Sequence, residues 1–330
     1  MKIAFYDTHS YDREYFTIAN KEFLFEIDFF DFKLTEKTAL TSKGYDAVCV
    51  FVNDTLNKKT IEILKKCGIK LIVLRCAGFN NVDLIATKEN NIQVVRVPSY
   101  SPHAVAEHSV ALLLALTRKI PQAYIKTRNG NFTLDGLTGR DLNGLTAGII
   151  GTGKIGSLMA DILSGFGMNI ILYDLHPKKE WAESKGYKYM SLMELFPKCD
   201  VISLHCPLTN ETKHIINEHS LKLMKRDCVI INTGRGALID SHALISALKK
   251  KCIGGAALDV YEEESKYFFN DWSVDVIKDD TLARLLTFPN VIITSHQAFL
   301  TKEALFSIAK TSLQNVKDYT DGKELTNKVT

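Results

Sequence analysis

Short apolar runs separated by polar, helix-like stretches recur through the first hundred residues. They cover Ile3 to Tyr6, Phe23 to Phe30, Ala47 to Val52, Leu71 to Leu74 and Val94 to Val97. Such alternation predicts a parallel sheet with helices on both faces. At Tyr100-Ser101-Pro102 the pattern changes, since Ser101 suits an N-cap and Pro102 the first helical position. A long apolar helix is predicted from Pro102 to about Ile120.

A second alternating series starts at Thr146, with strands predicted at Ala147 to Ile150, Ile170 to Tyr173, Val201 to His205, Val229 to Asn232, Ala256 to Val260 and Val291 to Thr294. Six strands make a complete dinucleotide-binding sheet. The stretch Lys302 to Tyr319 reads as one amphipathic helix, with Leu305, Ile308, Ala309, Leu313 and Val316 on a face. With the second sheet already complete, that helix is expected to return to the first domain, so the chain crosses near residues 101 and 299, the layout of a hinge. The fold class is therefore α/β: two doubly wound parallel-sheet domains, one flavodoxin-like (1–100 plus 300–330) and one Rossmann (101–299).

Between the first two strands of the second series lies Ala147-Gly-Ile-Ile-Gly-Thr-Gly-Lys-Ile-Gly156. Gly151 permits the tight strand-to-helix turn, Gly153 lets backbone approach a pyrophosphate, and Gly156 lets helix and strand pack closely. The anion sits on the helix N-terminus, where N–H groups and the dipole favour negative charge. Asp174 follows Gly156 by 18 residues, at a strand end where its carboxylate accepts from both ribose hydroxyls. It would repel a 2′-phosphate, so the cofactor is expected to be NAD rather than NADP.

Composition narrows the picture without redirecting it. A chain of 330 residues, 46% hydrophobic and 24% charged, is of ordinary globular make-up and long enough for two domains. The net charge of +3 comes with no concentrated basic stripe, which argues against nucleic acid. Seven scattered cysteines show no CxxC pair and no metal-ligand spacing, so no metal is expected, and they read as small hydrophobes in a reducing compartment. The chain opens directly on a strand, and its apolar run Val110 to Leu116 is far short of a membrane span. A cytoplasmic protein with no membrane partner is expected.

Ligands of open α/β sheets collect beyond the carboxyl ends of strands. Three polar segments follow strands there: Asn232-Thr-Gly-Arg-Gly236, Asp259-Val-Tyr-Glu-Glu-Glu264 and Thr294-Ser-His-Gln297. They offer the groups that reduction of a 2-keto acid requires. A guanidinium fork (Arg235) holds a carboxylate bidentately, an imidazolium (His296) protonates a developing alkoxide, and a carboxylate (Glu264) keeps that imidazole charged and oriented. Ordinary readings stand beside these: Arg235 paired with a surface acid, His296 bonded to backbone, Glu264 one of three solvated acids. His205, also at a strand end, is a rival proton donor that sequence alone does not exclude.

Taken together, Gly151-Thr-Gly-Lys-Ile-Gly156, Asn232-Thr-Gly-Arg-Gly236, Asp259-Val-Tyr-Glu262 with Glu264, and Thr294-Ser-His-Gln-Ala-Phe299 resemble the D-2-hydroxyacid dehydrogenase family, nearly end to end. The segments Arg75-Cys-Ala-Gly-Phe-Asn-Asn-Val-Asp83, Val97-Pro-Ser-Tyr-Ser-Pro102 and Tyr267-Phe-Phe-Asn-Asp-Trp272 resemble its fermentative, pyruvate-reducing branch.

The resemblance implies a substrate domain built from the N-terminal part and the last helix, an inserted NAD domain, and a cleft that closes on substrate. It implies Arg235, Glu264 and His296 as the catalytic trio and His205 as a wall residue near the cofactor. Cofactor contacts fall on Lys154, Ile155, Asp174, Cys206, Pro207, Thr233, Gly234 and Asp259, with serine or alanine standing at the Gly234 position in some members. For the substrate, the turn Gly78-Phe79-Asn80 is placed to offer N–H groups, Tyr100 to line the cleft, and Phe51 to press on the methyl of a small keto acid. The implied reaction is reversible reduction of pyruvate to D-lactate by NADH, in a homodimer or homotetramer. Two other readings stay open: a sister enzyme for longer acids such as 2-ketoisocaproate or phenylpyruvate, and an NAD-sensing corepressor.

Overall fold

The structure, a computed structural model, describes residues 1–329. Its chain forms two compact units, Met1–Ser101 with Leu300–Thr330, and Pro102–Phe299.

The first unit opens with β1 (Lys2–Phe5), α1 (Ser10–Asn20), β2 (Glu26–Phe29), β3 (Ala47–Val50), α2 (Lys58–Lys66), β4 (Leu71–Leu74), α3 (Leu84–Glu89) and β5 (Gln93–Arg96). All strands are parallel, in the order β2-β1-β3-β4-β5, which is the flavodoxin-like winding. The helices begin where a side chain satisfies their first N–H groups: Asn57 accepts from Thr60 at α2 and Asp83 from Ala86 at α3. β2 is shorter than predicted. Leu24 adopts a left-handed backbone (φ 59°), and Asn20 holds the turn through both its amide atoms on Phe25.

The second unit begins with α4 (Pro102–Thr117) and α5 (Ile120–Arg128). The helix predicted to about Ile120 is α4, which stops at Thr117 where Lys119 turns left-handed (φ 54°), and α5, with Pro121 in its first turn, is a further, unpredicted helix. There follow β6 (Thr146–Ile150), α6 (Lys154–Gly165), β7 (Asn169–Tyr173), α7 (Lys179–Lys185), β8 (Lys188–Tyr189), α8 (Leu192–Leu195), β9 (Val201–Leu204), α9 (Glu218–Leu223), β10 (Val229–Asn232), α10 (Ser241–Lys249), β11 (Gly255–Leu258), α11 (Asp280–Leu286) and β12 (Val291–Ile293).

Seven parallel strands, rather than six, lie in the order β12-β11-β10-β9-β6-β7-β8. The extra strand, β8, is two residues long with no apolar run to betray it, and pairs only with Ile171 and Leu172. Alternate residues feed separate cores on the two faces: Ile202 and Ile230 on one, Val201 and Ile231 on the other. Burial on both faces explains the continuous apolar runs.

The chain then returns to the first unit as α12 (Lys302–Thr320), capped by Thr301 and packed against α1, β4 and β5. Leu305, Ile308, Ala309, Leu313 and Val316 are all buried there. Beyond α12 the tail runs along β5: Asn327 accepts from the Arg96 N–H at 3.1 Å, and Val329 donates to the Val94 carbonyl at 2.9 Å.

Candidate active site

The glycine-rich segment joins β6 to α6, and each glycine is required for a different reason. Gly151 has φ +93°, and a Cβ there would strike the backbone of His205 and Cys206. At Gly156 a Cβ would fall on the Gly151 carbonyl oxygen. Gly153, the N-cap of α6, faces open space with nothing within 4 Å of a Cβ position. A cradle that is closed from inside at two glycines and open at the third fits a pyrophosphate approaching the first turn of α6. Lys154 is exposed at that first turn, while Ile155 packs on the core beneath. Cys206 and Pro207 flank the turn on the next strand end; burial pushes the Cys206 thiol up to about 11, so it stays protonated and unreactive.

Asp174 ends β7 and has a task that sequence did not reveal. One carboxylate oxygen accepts from the Thr152 N–H and hydroxyl at 2.5 and 2.9 Å, the other from the His176 N–H at 2.8 Å. Burial would raise its pKa, but these hydrogen bonds outweigh it and hold the carboxyl below its usual range. The group is anionic, half-buried and locked to the glycine turn.

His205 differs from His296 in what surrounds it. Its Nε2 lies 2.8 Å from the Ser203 hydroxyl, and burial pushes its pKa down to about 4. A neutral imidazole is a far weaker acid than an imidazolium, which makes His205 the poorer proton donor.

At the end of β10, the Asn232 side chain folds the following turn by accepting from Gly234 N–H and donating to the Arg235 carbonyl. Thr233 is buried and shares a 2.8 Å hydrogen bond with Ser109 of α4. A Cβ at Gly234 would meet nothing closer than 3.5 Å, so the serine or alanine of other members would fit. Arg235 has no carboxylate within ion-pair distance among the described residues, and only its Nη1 is used, on the Gly234 carbonyl at 2.7 Å. The surface-pair reading does not hold.

The three acids after β11 sort themselves. Glu262 turns to His214 at 2.7 Å, Glu263 to Lys266 at 2.8 Å, and Glu264 to His296, whose Nδ1 lies 2.7 Å from its Oε1. A carboxylate only accepts, so Nδ1 carries the proton and Nε2 is left for other chemistry. Glu264 is itself fixed by the Tyr261 N–H on Oε2 at 2.9 Å, and both side chains are mostly buried, at 17% and 19% exposure.

His296 has a left-handed backbone (φ 53°), unfavourable for a residue with a Cβ. Asp259 holds it so. The Asp259 carbonyl takes the His296 N–H at 2.7 Å, and its carboxylate takes the N–H groups of Gln297 and Ala298 and the Thr294 hydroxyl, with His108 Nε2 at 3.4 Å. Burial would raise the Asp259 pKa, yet these donors lower it, keeping an anion inside the protein. Expected beside the nicotinamide, the Asp259 side chain has no exposed surface in this structure; its visible work is to shape the histidine loop.

In the first unit, the remaining candidates lie at strand carboxyl ends, where its ligands would gather. Phe51 follows β3 and is buried, at 7% exposure. Gly78 and Phe79 follow β4 in a turn held by Arg96, whose guanidinium lies 5.0 Å from the Phe79 ring and donates to the Ala77 carbonyl. Tyr100 is half-buried after β5. Among the described residues no cluster of metal-ligating side chains occurs, and no helix is long and apolar enough to cross a membrane.

Residues 110–298 match the family model described as the NAD binding domain of D-isomer specific 2-hydroxyacid dehydrogenases. The chain belongs to that family. As a D-isomer specific 2-hydroxyacid dehydrogenase it is 53% identical, over all of both chains, to the D-lactate dehydrogenase of Escherichia coli K12. Among solved structures it is similar to the pyruvate reductase of Chlamydomonas reinhardtii (TM-score 0.94, 42% identity, 99% and 98% of the two chains). It is also similar to the D-lactate dehydrogenase with NAD+ of Lactobacillus jensenii (TM-score 0.84, 32% identity, all of both chains). The dehydrogenase therefore takes NAD in its second unit, and the glycine cradle with Asp174 fits that cofactor.

Proposed function

We propose that this dehydrogenase is an NAD-dependent D-lactate dehydrogenase, reducing pyruvate to D-lactate reversibly. The observation that carries the reading is the hydrogen-bonded His296–Glu264 pair, together with Arg235, which has no carboxylate partner among the described residues, after the neighbouring strand β10. Arg235 lends its free guanidinium edge to the substrate carboxylate, a bidentate geometry that also polarises the neighbouring carbonyl. NADH, when bound, supplies hydride for C2. His296 delivers a proton from Nε2 to the carbonyl oxygen while Nδ1–H stays on Glu264, and in reverse the neutral ring takes the hydroxyl proton.

Around the cofactor we assign Gly151, Gly153, Lys154, Ile155 and Gly156 to the pyrophosphate, Asp174 to the ribose, Cys206 and Pro207 to the wall, and Thr233 and Gly234 to the nicotinamide end, with Asp259 behind them. The first unit is the substrate domain in this reading, with Gly78, Phe79 and Tyr100 contacting the acid and Phe51 bounding its methyl end. A bulky aromatic there favours pyruvate, and the similarity to D-lactate dehydrogenases supports that choice. The assay is NADH oxidation with pyruvate, 2-ketoisocaproate and phenylpyruvate, followed by chiral analysis of the product. Pyruvate as best substrate and D-lactate as sole product are expected; preference for a longer acid, or L-lactate, would overturn the assignment.

The reading extends to a homo-oligomer in the cytoplasm. Ile120, Tyr124 and Ile125 on α5, and Phe132 and Leu134 after it, are all exposed, an apolar patch suited to a second copy. Seven scattered cysteines with no CxxC pair suit a reducing compartment. Light scattering on the eluted protein tests the first point, with a monomer as the contrary result.

A further inference from the structure

Arg75 is the largest fully buried side chain of the protein, at 2% exposure, and the catalytic reading gives it nothing to do. It follows β4 and points its guanidinium between elements of the first unit. Nε donates to Asp12 Oδ1 of α1 at 3.2 Å, and Nη2 to the Asp7 carbonyl at 2.6 Å and Asp12 Oδ2 at 3.4 Å. Its central carbon lies 4.5 Å from the Phe5 ring centre and 4.9 Å from that of Phe51. Nη1 is buried with no partner. An arginine held by the Asp12 carboxylate and the Asp7 carbonyl and set against two rings is a rigid plate on which an aromatic side chain is located by stacking and by the cation–π attraction.

The backbone of Phe51 is fixed separately. Asp54 Oδ2 accepts its N–H at 2.6 Å while Oδ1 accepts from Leu34, and the Asn81 amide donates to the Phe51 and Asp54 carbonyls at 2.9 Å. The main chain of Phe51 is thus held by Asp54 and Asn81, while Arg75 supplies a charged contact to its ring.

We propose that Arg75 is a positioning residue for substrate selection, setting the volume at the methyl end of the keto acid by fixing the Phe51 ring. This rests on the reading of Phe51 given above. Arg75 is too deeply buried to touch substrate, so its influence passes through that ring.

The test is a double-mutant cycle on the ratio of kcat/KM for pyruvate to kcat/KM for 2-ketoisocaproate. Arg75→Lys keeps a charge for Asp12 but loses the plate, and is expected to lower the ratio about tenfold, the lower end of the scale of one methylene-sized contact. In a Phe51→Ala background the same change should leave the ratio within about twofold, because the ring it acts through is gone. The KM for NADH should stay unchanged throughout. An equal shift in both backgrounds, or an unmoved ratio in the folded single variant, overturns the proposal and leaves Arg75 a purely structural residue. Should Arg75→Lys not fold, Asp12→Asn loosens the same plate from the far side and must lower the ratio in the same direction. A wild type that reduces neither acid refutes the functional reading itself, a result distinct from an unmoved ratio.

Discussion

The His296 N–H donates to the Asp259 carbonyl at 2.7 Å, while the Asp259 carboxylate holds the next two N–H groups along the chain. One buried residue therefore grips both sides of a left-handed histidine. Asp259→Asn places an NH2 among donors and is expected to lower kcat for pyruvate reduction about a hundredfold, the effect of misplacing a reacting group by an ångström. Direct loss of the acid in His296→Ala should cost ~10²–10⁴-fold. Steady-state assays at saturating NADH compare the two, and an Asp259→Asn enzyme with normal kcat would show that the loop holds itself.

His205→Asn should retain kcat within about tenfold, since a neutral imidazole is a poor general acid. The variant should also lose part of the acid sensitivity of the fold. His205 has a folded pKa of about 4 against an ordinary 6.5, so the native state resists a proton that the unfolded chain accepts. Its contribution is fully present above pH 6.5 and is lost as pH falls towards 4, by about 3 kcal/mol in all. Denaturant unfolding of wild type and variant across that window measures the difference; parallel curves would contradict the assignment.

Asp174→Ala removes the anion we assign to the ribose and also frees Thr152 from its two hydrogen bonds. We expect KM for NADH to rise at least about tenfold and the ratio of NADPH to NADH efficiency to increase. An unchanged ratio would mean that the carboxylate serves the turn alone.

The glycines separate folding from binding. Gly156→Ala pushes a methyl onto the Gly151 carbonyl and should destabilise by about 1–3 kcal/mol, the usual range for overpacking. Gly153→Ala meets no protein atom, so its Tm should stay near wild type while NADH binding, followed by fluorescence, weakens. Equal loss of Tm in both would refute the division.

These glycines were legible in the sequence because each requirement is local to the backbone and carried by spacing. The α/β winding was legible for a similar reason, since buried parallel strands need unbroken apolar runs. What sequence left open depended on partners far along the chain. Nothing in Asp259-Val-Tyr-Glu-Glu-Glu264 says which acid meets His296, and only the turn that Gly236 packs beneath Tyr261 brings that segment against Arg235's loop. His205 and His296 share a strand-end setting, and their partners, a serine hydroxyl for one and a carboxylate for the other, tell them apart. Lys119 carries no helix-breaking signature, so Pro121 alone marked where α4 gives way to α5. Arg75 looked like an ordinary motif residue until Phe5 and Phe51 closed over it.

The hydrogen bonds that the tail makes along β5 have a practical consequence for anyone handling this enzyme. An unpaired strand margin invites pairing with other molecules, and here Asn327 and Val329 occupy it. Trimming the chain before Asn327 would expose that margin, and the symptom would be clumping on concentration before any loss of turnover. An affinity tag is therefore better carried at the opposite terminus.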